Sequence, residues 1–285
     1  MKIGMGLPVL LHSTDYLFEW IKRIDSAPFS TLAICDRIVY DNYDALLTLA
    51  AAAALSRRVR LMTDVLVTPL RNTALLAKEI ATLDALSGGR VTLGMGIGVR
   101  KDDFAVTDTS YKERGKYHEN QIEQMKRIWS RQDWNNTIGP IGPAPIQKPG
   151  PELILGGFVP QVMQRVARYA NGFVAATNEI DRVSQAFRAV EHYWQEAGRT
   201  GKPRLLAQID IALESHMPGQ GRENALAYYK VLPPPYNTYK AATLITTEQQ
   251  LRKVLNDLEQ IGTDEVICFP WSTEIEQIVR VATLC

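Results

Sequence analysis

The 285-residue sequence has no run of eighteen apolar residues, no block of five or six basic residues and only three cysteines. The first absence leaves nothing to span a bilayer as a helix. The second, with a formal net charge of +1, removes the electrostatic footprint of a nucleic-acid binder. Cys35, Cys268 and Cys285 are odd in number and far apart. They offer neither a disulfide framework nor a zinc spacing, and the expectation is a reducing cytoplasm. The histidines His12, His118, His192 and His216 also fall in no metal-binding spacing, since "YHENQ" is not H-E-x-x-H. Solvated or structural roles are expected for all of them but His12, which stays open. No lysine closes an expected strand, which argues against a Schiff-base aldolase. No G-x-S-x-G is present. The opening "MKIGMGLPVLLHSTDY" turns polar without a small-residue cleavage site, so it reads as a first strand rather than a signal peptide.

What is present is alternation. Short β-type apolar runs begin near Lys2, Leu32, Arg60, Val91, Glu152, Phe173, Leu205 and Glu265. Most are roughly 30 residues apart, the length of a strand–helix–strand unit, and the gaps after the fourth and seventh are roughly 60. Helical patterns such as "TDYLFEWIKRIDSA", "NTALLAKEIATLDALSGG" and "TEQQLRKVLNDLEQIG" lie between them. Eight such alternations predict an α/β fold of the (β/α)₈ barrel type, a single domain over 1–285, with insertions after strands 4 and 7. A doubly wound open sheet is the runner-up. Asn72 is placed to cap the third helix, and Gly88 and Gly89 to end it. Leu76, Ile80 and Leu83 share one face of that helix. The two long gaps hold Pro-, Gly- and Asn-rich stretches at 133–150 and 214–243, expected to shape a substrate pocket.

Barrel enzymes work at the C-terminal ends of their strands, so residues there that do not belong in a core are the candidates. The second strand ends in Asp36 and Arg37, either catalytic candidates or an ordinary ion pair. Thr63 and Asp64 interrupt an apolar third strand, and a carboxylate there needs a partner or a ligand, unless it caps a turn. The fourth strand ends in "GMGIG". Gly94, Gly96 and Gly98 do not match G-x-G-x-x-G, so a Rossmann reading is weak. Glycine at alternate positions strips one face of the strand end, which suits a large flat ligand lying on the backbone, or else marks a tapered barrel corner. Gly156 and Gly157 lead into a helix with Pro160 in its first turn, whose free N–H groups and positive dipole end suit a phosphate. Arg165 adds charge one turn on, or faces solvent. A flat ligand bearing a phosphate suggests a flavin-like cofactor.

These residues carry a resemblance over nearly the whole chain. The segment from "CDRIVYDNYDALLTLAAAAALSRRVRLMTDVLVTPLRNTALLAKEIATLDALSGGRVTLGMGIG" onward, with "ERGKYHENQIEQMKRIW", "PIQKPGPELILGGF" and "RVARYANGFV", resembles the bacterial luciferase-like flavin-dependent oxidoreductases, in particular the probable coenzyme F420-dependent branch. The resemblance implies a barrel with F420, or alternatively FMN, at its strand ends, and hydride transfer or oxygen activation as the chemistry. It implies that Asp36 contacts the ring system and that Asp64 and Val65 are joined by a non-prolyl cis peptide against the ring. It implies that Gly96 and Gly98 line the same cleft, and that Gly156, Gly157 and Phe158 meet the phosphate. The family's usual histidine after the second-strand aspartate is Arg37 here. The glutamate that sugar-phosphate dehydrogenases carry after the fourth-strand glycines is Val99, which removes a familiar proton donor. Arg37 is then available for an acidic substrate or the cofactor tail. The leading expectation is a cytoplasmic F420-dependent oxidoreductase of a small organic substrate. The alternatives are an FMN-dependent monooxygenase served by a separate flavin reductase, and a flavin-binding barrel without turnover. A homodimer is expected, because the Ala/Leu face of "DALLTLAAAAALSR" is wider than one buried stripe requires.

Overall fold

Each of the eight apolar runs forms a strand: β1 (Lys2–Gly6), β2 (Thr31–Ile34), β3 (Arg60–Val67), β4 (Val91–Gly96), β5 (Glu152–Gly156), β6 (Gly172–Ala176), β7 (Arg204–Ile211) and β8 (Glu265–Pro270). In this computed structural model, which describes residues 1–11, 13–213, 216 and 219–285, they pair in sequence order, and β8 returns to β1 to close the barrel. All pairings are parallel. A parallel neighbour needs a crossover, and the helices supply it. They are α1 (Thr14–Ser26), α2 (Ala45–Leu55), α3 (Thr73–Ser87), α4 (Lys101–Ala105), α5 (Arg114–Trp129), α6 (Pro160–Tyr169), α7 (Ile180–Glu196), α8 (Gln220–Tyr229), α9 (Tyr236–Ala242), α10 (Glu248–Gln260) and α11 (Glu276–Ala282). No described helix is long and apolar enough to cross a membrane.

Strand alternation divides the core in two. Outward residues such as Leu32, Leu61, Leu93 and Phe173 pack with the buried faces of the helices. Inward residues Ala33, Met62, Ile154, Val174, Leu206, Ile267 and Phe269 form a separate cluster with no helix residue in it, the filled lumen. The α3 reading holds in detail. The Asn72 side chain accepts hydrogen bonds from Ala74 N and Leu75 N, Gly88 ends the helix, and Leu76, Ile80 and Leu83 are buried.

At the N-terminal end of the barrel a partly buried charge network holds the strands together. Arg204 pairs with Glu152 and Glu265, and Thr31 Oγ1 donates to Glu265 Oε1 at 2.6 Å. The segment 133–150 also lies toward this end. Gln147 donates from its backbone N and its amide to Asp84, and from its amide to Val91 O at the start of β4. This corrects the expectation that 133–150 shapes a pocket at the opposite, C-terminal end. The residues between β7 and β8 do reach that end, through α8.

Candidate active site

The register between β3 and β4 shifts between Thr63 and Leu66, and the Asp64–Val65 peptide is cis, as the resemblance implied. The shift explains the fourth-strand glycines. A Cβ on Gly94 would lie 1.9 Å from the Thr63 carbonyl oxygen, and one on Gly96 would lie 2.7 Å from Val65 Cγ2. The room left by these two glycines is therefore taken by the bulge of β3. That corrects the reading in which their bare faces receive a ligand directly. Thr63 does not line the cleft, because its hydroxyl donates to Gly94 O at 2.8 Å and ties the bulge to β4.

Above the bulge a cleft of about 480 Å³ opens at the C-terminal strand ends, a size suited to a small-molecule site. Val65 projects into it, and Gly96, Gly98, Gly156, Gly157 and Phe158 line it together. Tyr228 and Tyr229 on α8, with Trp271 after β8, supply an aromatic wall. Burial pushes both tyrosines well above the ordinary phenol range, so they present neutral rings. Burial likewise pushes the Cys35 thiol up to about 12.

Asp36 and Arg37 both reach the cleft, but each is already engaged. Asp36 accepts from Val67 N at 2.9 Å and from both terminal nitrogens of Arg71 at 2.8 and 3.0 Å. It thereby pins the end of β3 to the loop after β2. Burial raises its carboxyl above the ordinary range, and Arg71 opposes that rise. Arg37 pairs with Asp103 at 3.0 Å and Asp102 at 2.9 Å and donates to Val39 O, leaving Nη1 without a hydrogen-bond partner. Arg37 is thus neutralised by the two aspartates of α4 rather than offered whole to an acidic ligand.

Asp64 is different. Its carboxylate oxygens are both buried without a hydrogen-bond partner, and burial pushes the acid up to about 7. Lys240 works against that rise, while Asp210 and Glu265 add to it. Asp210, fully buried on β7, is by contrast satisfied. It pairs with Lys240 from α9 and accepts from Trp271 Nε1 at 2.9 Å.

Gly156 closes β5, and Gly157 follows with φ +140°, a conformation open to glycine. α6 begins three residues later with Pro160 in its first turn and no side chain capping it; Pro160 has no N–H and Val162 N donates to Val159 O at 2.9 Å, which leaves Gln161 N as the first-turn donor for an anion. Arg165 is not part of this cradle. Its Nε donates to Glu119 Oε1 at 2.6 Å, because its turn of α6 faces α5. Besides Arg37, the cations that line the cleft are Arg100, stacked 4.4 Å from the Tyr228 ring centroid, and Arg114, which donates to Gly98 O at 3.1 Å.

Asp210, Lys240, Arg100, Arg114 and the Tyr228–Tyr229–Trp271 wall escaped the sequence reading. Asp210 carried a signal, since "LLAQIDIAL" places a carboxylate inside an apolar strand just as "LMTDVLV" does. The others lie on loops and on α5, α8 and α9, whose placement no local pattern encodes. His118 is buried against Thr68 Oγ1 at 2.8 Å, held neutral by burial, which pulls it down to about 3. His192 pairs with Glu196 on the exposed side of α7, and His216 N donates to Glu274. His12 lies outside the described residues. Among the described residues no group of three or more His, Cys, Asp or Glu is placed to hold a metal ion.

With this geometry in hand, comparison with known proteins is specific. The family model described as luciferase-like monooxygenase matches residues 3–265. The uncharacterized protein Rv0953c of Mycobacterium tuberculosis is 29% identical over 175 residues, 59% of this chain and 61% of that protein. This chain thus spans about three-fifths of the length of such first mycobacterial relatives. The F420-dependent glucose-6-phosphate dehydrogenase of Amycolatopsis mediterranei is 30% identical over 195 residues, 63% of this chain and 58% of the relative. Among solved structures, an F420-dependent secondary alcohol dehydrogenase with an F420–acetone adduct superposes with a TM-score of 0.82 at 17% identity, covering 100% of this chain and 98% of the other. The monooxygenase RslO1 from Streptomyces bottropensis gives 0.81 at 20% identity, covering 100% and 97%. At such identities the two structures speak for the fold.

Proposed function

This chain belongs to the luciferase-like monooxygenase family, and on that premise we propose that it is an oxidoreductase passing a hydride between coenzyme F420 and a small organic substrate. The observation that carries the reading is the β3 bulge, which lifts Val65 into a cleft bounded by Gly96, Gly98, Gly156 and Gly157. A flat tricyclic ring needs such a backbone-lined slot with one convex support. The uncapped first turn of α6 beside Gly157 fits the phosphate of the cofactor, through Gln161 N and the positive end of the helix dipole. When bound, the deazaflavin supplies two-electron hydride chemistry. The chain itself provides orientation through Val65, anion capture at α6, and an aromatic wall of Tyr228, Tyr229 and Trp271 that limits water. The preference for F420 over FMN is supported by the glucose-6-phosphate dehydrogenase relative. Purified protein is expected to shift F420 fluorescence at micromolar concentration and to bind FMN more weakly. Tighter FMN binding favours the monooxygenase reading instead.

The phosphate cradle has its own test. Gly157→Val places a β-branched side chain at φ +140°, with its Cβ 3.0 Å from Val162 Cγ2, so a stability loss of about 1–3 kcal/mol accompanies the loss of F420 affinity. Arg165→Ala is expected to leave the affinity within twofold of wild type, since that side chain is spent on Glu119. Fluorescence titration of both variants, with circular dichroism as the folding control, decides. A large affinity loss in Arg165→Ala moves the phosphate toward α5.

The protein is also proposed to self-associate through α2 and α3, which pack side by side. Leu47 on α2 is 75% exposed and Leu75 on α3 is 55% exposed, whereas a helix on a monomer surface normally turns polar side chains outward. Light scattering at high micromolar concentration should give a dimer, and Leu47→Glu should give a monomer. A wild-type monomer at that concentration refutes the interface.

A further inference from the structure

The cleft contains a carboxylate that no group in the described chain satisfies. Asp64 is 4% exposed, lines the cleft beside Val65, and keeps both oxygens without a hydrogen-bond partner. A buried polar group left in that condition costs roughly 1–3 kcal/mol, more when charged, so its retention calls for a ligand that completes it. The surrounding walls narrow the ligand. Val9, Phe269 and Trp271 are apolar, and the other buried carboxylate, Asp210, already has Lys240 and Trp271 as partners. A second anion in the substrate would meet Asp64 and Asp210 together, whereas a neutral hydroxyl would donate to Asp64 directly.

We propose that Asp64 is the catalytic residue that exchanges a proton with the substrate oxygen, and that the substrate is a neutral alcohol interconverted with its carbonyl product. The proposal rests on the F420 reading above. In the oxidative direction the carbinol C–H bond breaks, and a bound oxidised deazaflavin would supply the acceptor for its hydride. The O–H bond breaks, its proton goes to an Asp64 carboxylate oxygen, and the carbon–oxygen double bond forms. The alcohol loses two electrons, for which a bound deazaflavin would be the acceptor, and the carboxyl proton is then lost to solvent. The reverse direction uses Asp64 as the acid. Val99 brings no ionisable group to the end of β4, whereas Asp64 brings a carboxyl from β3 into the same cleft.

The electrostatic setting suits both directions. The charged groups around Asp64 are Asp210 from β7, Glu265 from β8 and Lys240 from α9. Cys35, following β2, is a neutral thiol, and β4 brings no titratable group between Val91 and Gly96. With its acid raised to about 7, Asp64 populates both forms near neutrality, where a proton carrier works best. The sign of the stability effect follows. The native state holds the Asp64 proton more tightly than the unfolded chain, so the stabilisation present in acid is lost as pH rises through about 7.

The test compares the full-length wild type with Asp64→Asn and Asp64→Glu. Without cofactor, the Tm of wild type should fall relative to Asp64→Asn between pH 5 and pH 8. F420 affinity should stay within threefold in both variants. Single-turnover reduction of F420 by 2-propanol, cyclohexanol and benzyl alcohol should slow at least 100-fold in Asp64→Asn, as expected for loss of an acid–base group, with the rising limb of the pH profile gone. Partial return in Asp64→Glu would add support. Asn retaining the rate within threefold, parallel Tm–pH curves for wild type and Asn, or a wild type that binds F420 yet oxidises none of the alcohols would each overturn the proposal. Failure of wild type and variants alike to bind F420 overturns the cofactor reading and takes this step with it.

Discussion

Gly94→Ala is expected to cost the protein more than about 3 kcal/mol, the far end of what a single methyl does in a packed interior. The added Cβ would sit 1.9 Å from the Thr63 carbonyl oxygen, a distance no relaxation of side chains can relieve. Thr63 is fixed on both sides, opposite Ile34 of β2 and Leu93 of β4, and its hydroxyl is bonded to the carbonyl of Gly94 itself. The β3–β4 seam must therefore part or the bulge must flatten. Gly96→Ala is the informative contrast. Its Cβ meets only Val65 Cγ2 at 2.7 Å, a side chain that can turn, so the stability loss should stay near 1–3 kcal/mol. Turning Val65 reshapes the cleft, however, and F420 affinity should drop at least tenfold. Urea denaturation and fluorescence titration of both variants separate the two effects. A Gly94→Ala protein within about 1 kcal/mol of wild type would mean that the bulge is not the reason for that glycine.

Asp36→Ala is expected to destabilise by about 2–4 kcal/mol. Removing one partner of a buried ion pair usually costs about 3–5 kcal/mol because the other charge stays behind uncompensated. Here the loss is smaller, since the Arg71 side chain is 15% exposed and keeps a 3.3 Å contact with Asp44. The substitution also frees Val67 N, the anchor at the end of β3, so cofactor affinity should fall with stability. Asp44→Asn provides the control. Asparagine caps α2 as well as aspartate does, and the exposed Arg71–Asp44 pair is worth at most about 1 kcal/mol. Equal losses in the two variants would show that Arg71, rather than its pairing with Asp36, is what matters.

The eight strands, the caps of α3 and the glycine-rich ends of β4 and β5 were legible because each follows from local chemistry. Alternation of apolar runs and amphipathic helices leaves a closed parallel barrel as the economical way to bury both faces of the sheet. Asn72 and Gly88 act on backbone groups within a few residues of themselves. The carboxylate in the apolar third strand could be flagged for the same reason, and Asp210 could have been by the same rule.

What the sequence could not determine was who answers whom across the barrel. Arg37 meets Asp102 and Asp103, some 65 residues on, Asp36 meets Arg71, and Arg165 turns to Glu119 instead of the cleft. Segment 133–150, rich in the same loop residues as 214–243, packs at the wrong end for substrate. Charges attract at any sequence separation, and only closure of the barrel decides which pairs come within 3 Å. Closure also left Asp64 without a partner while giving Asp210 two, so that two carboxylates with the same local pattern became a spent structural anchor and a free acid in one cleft.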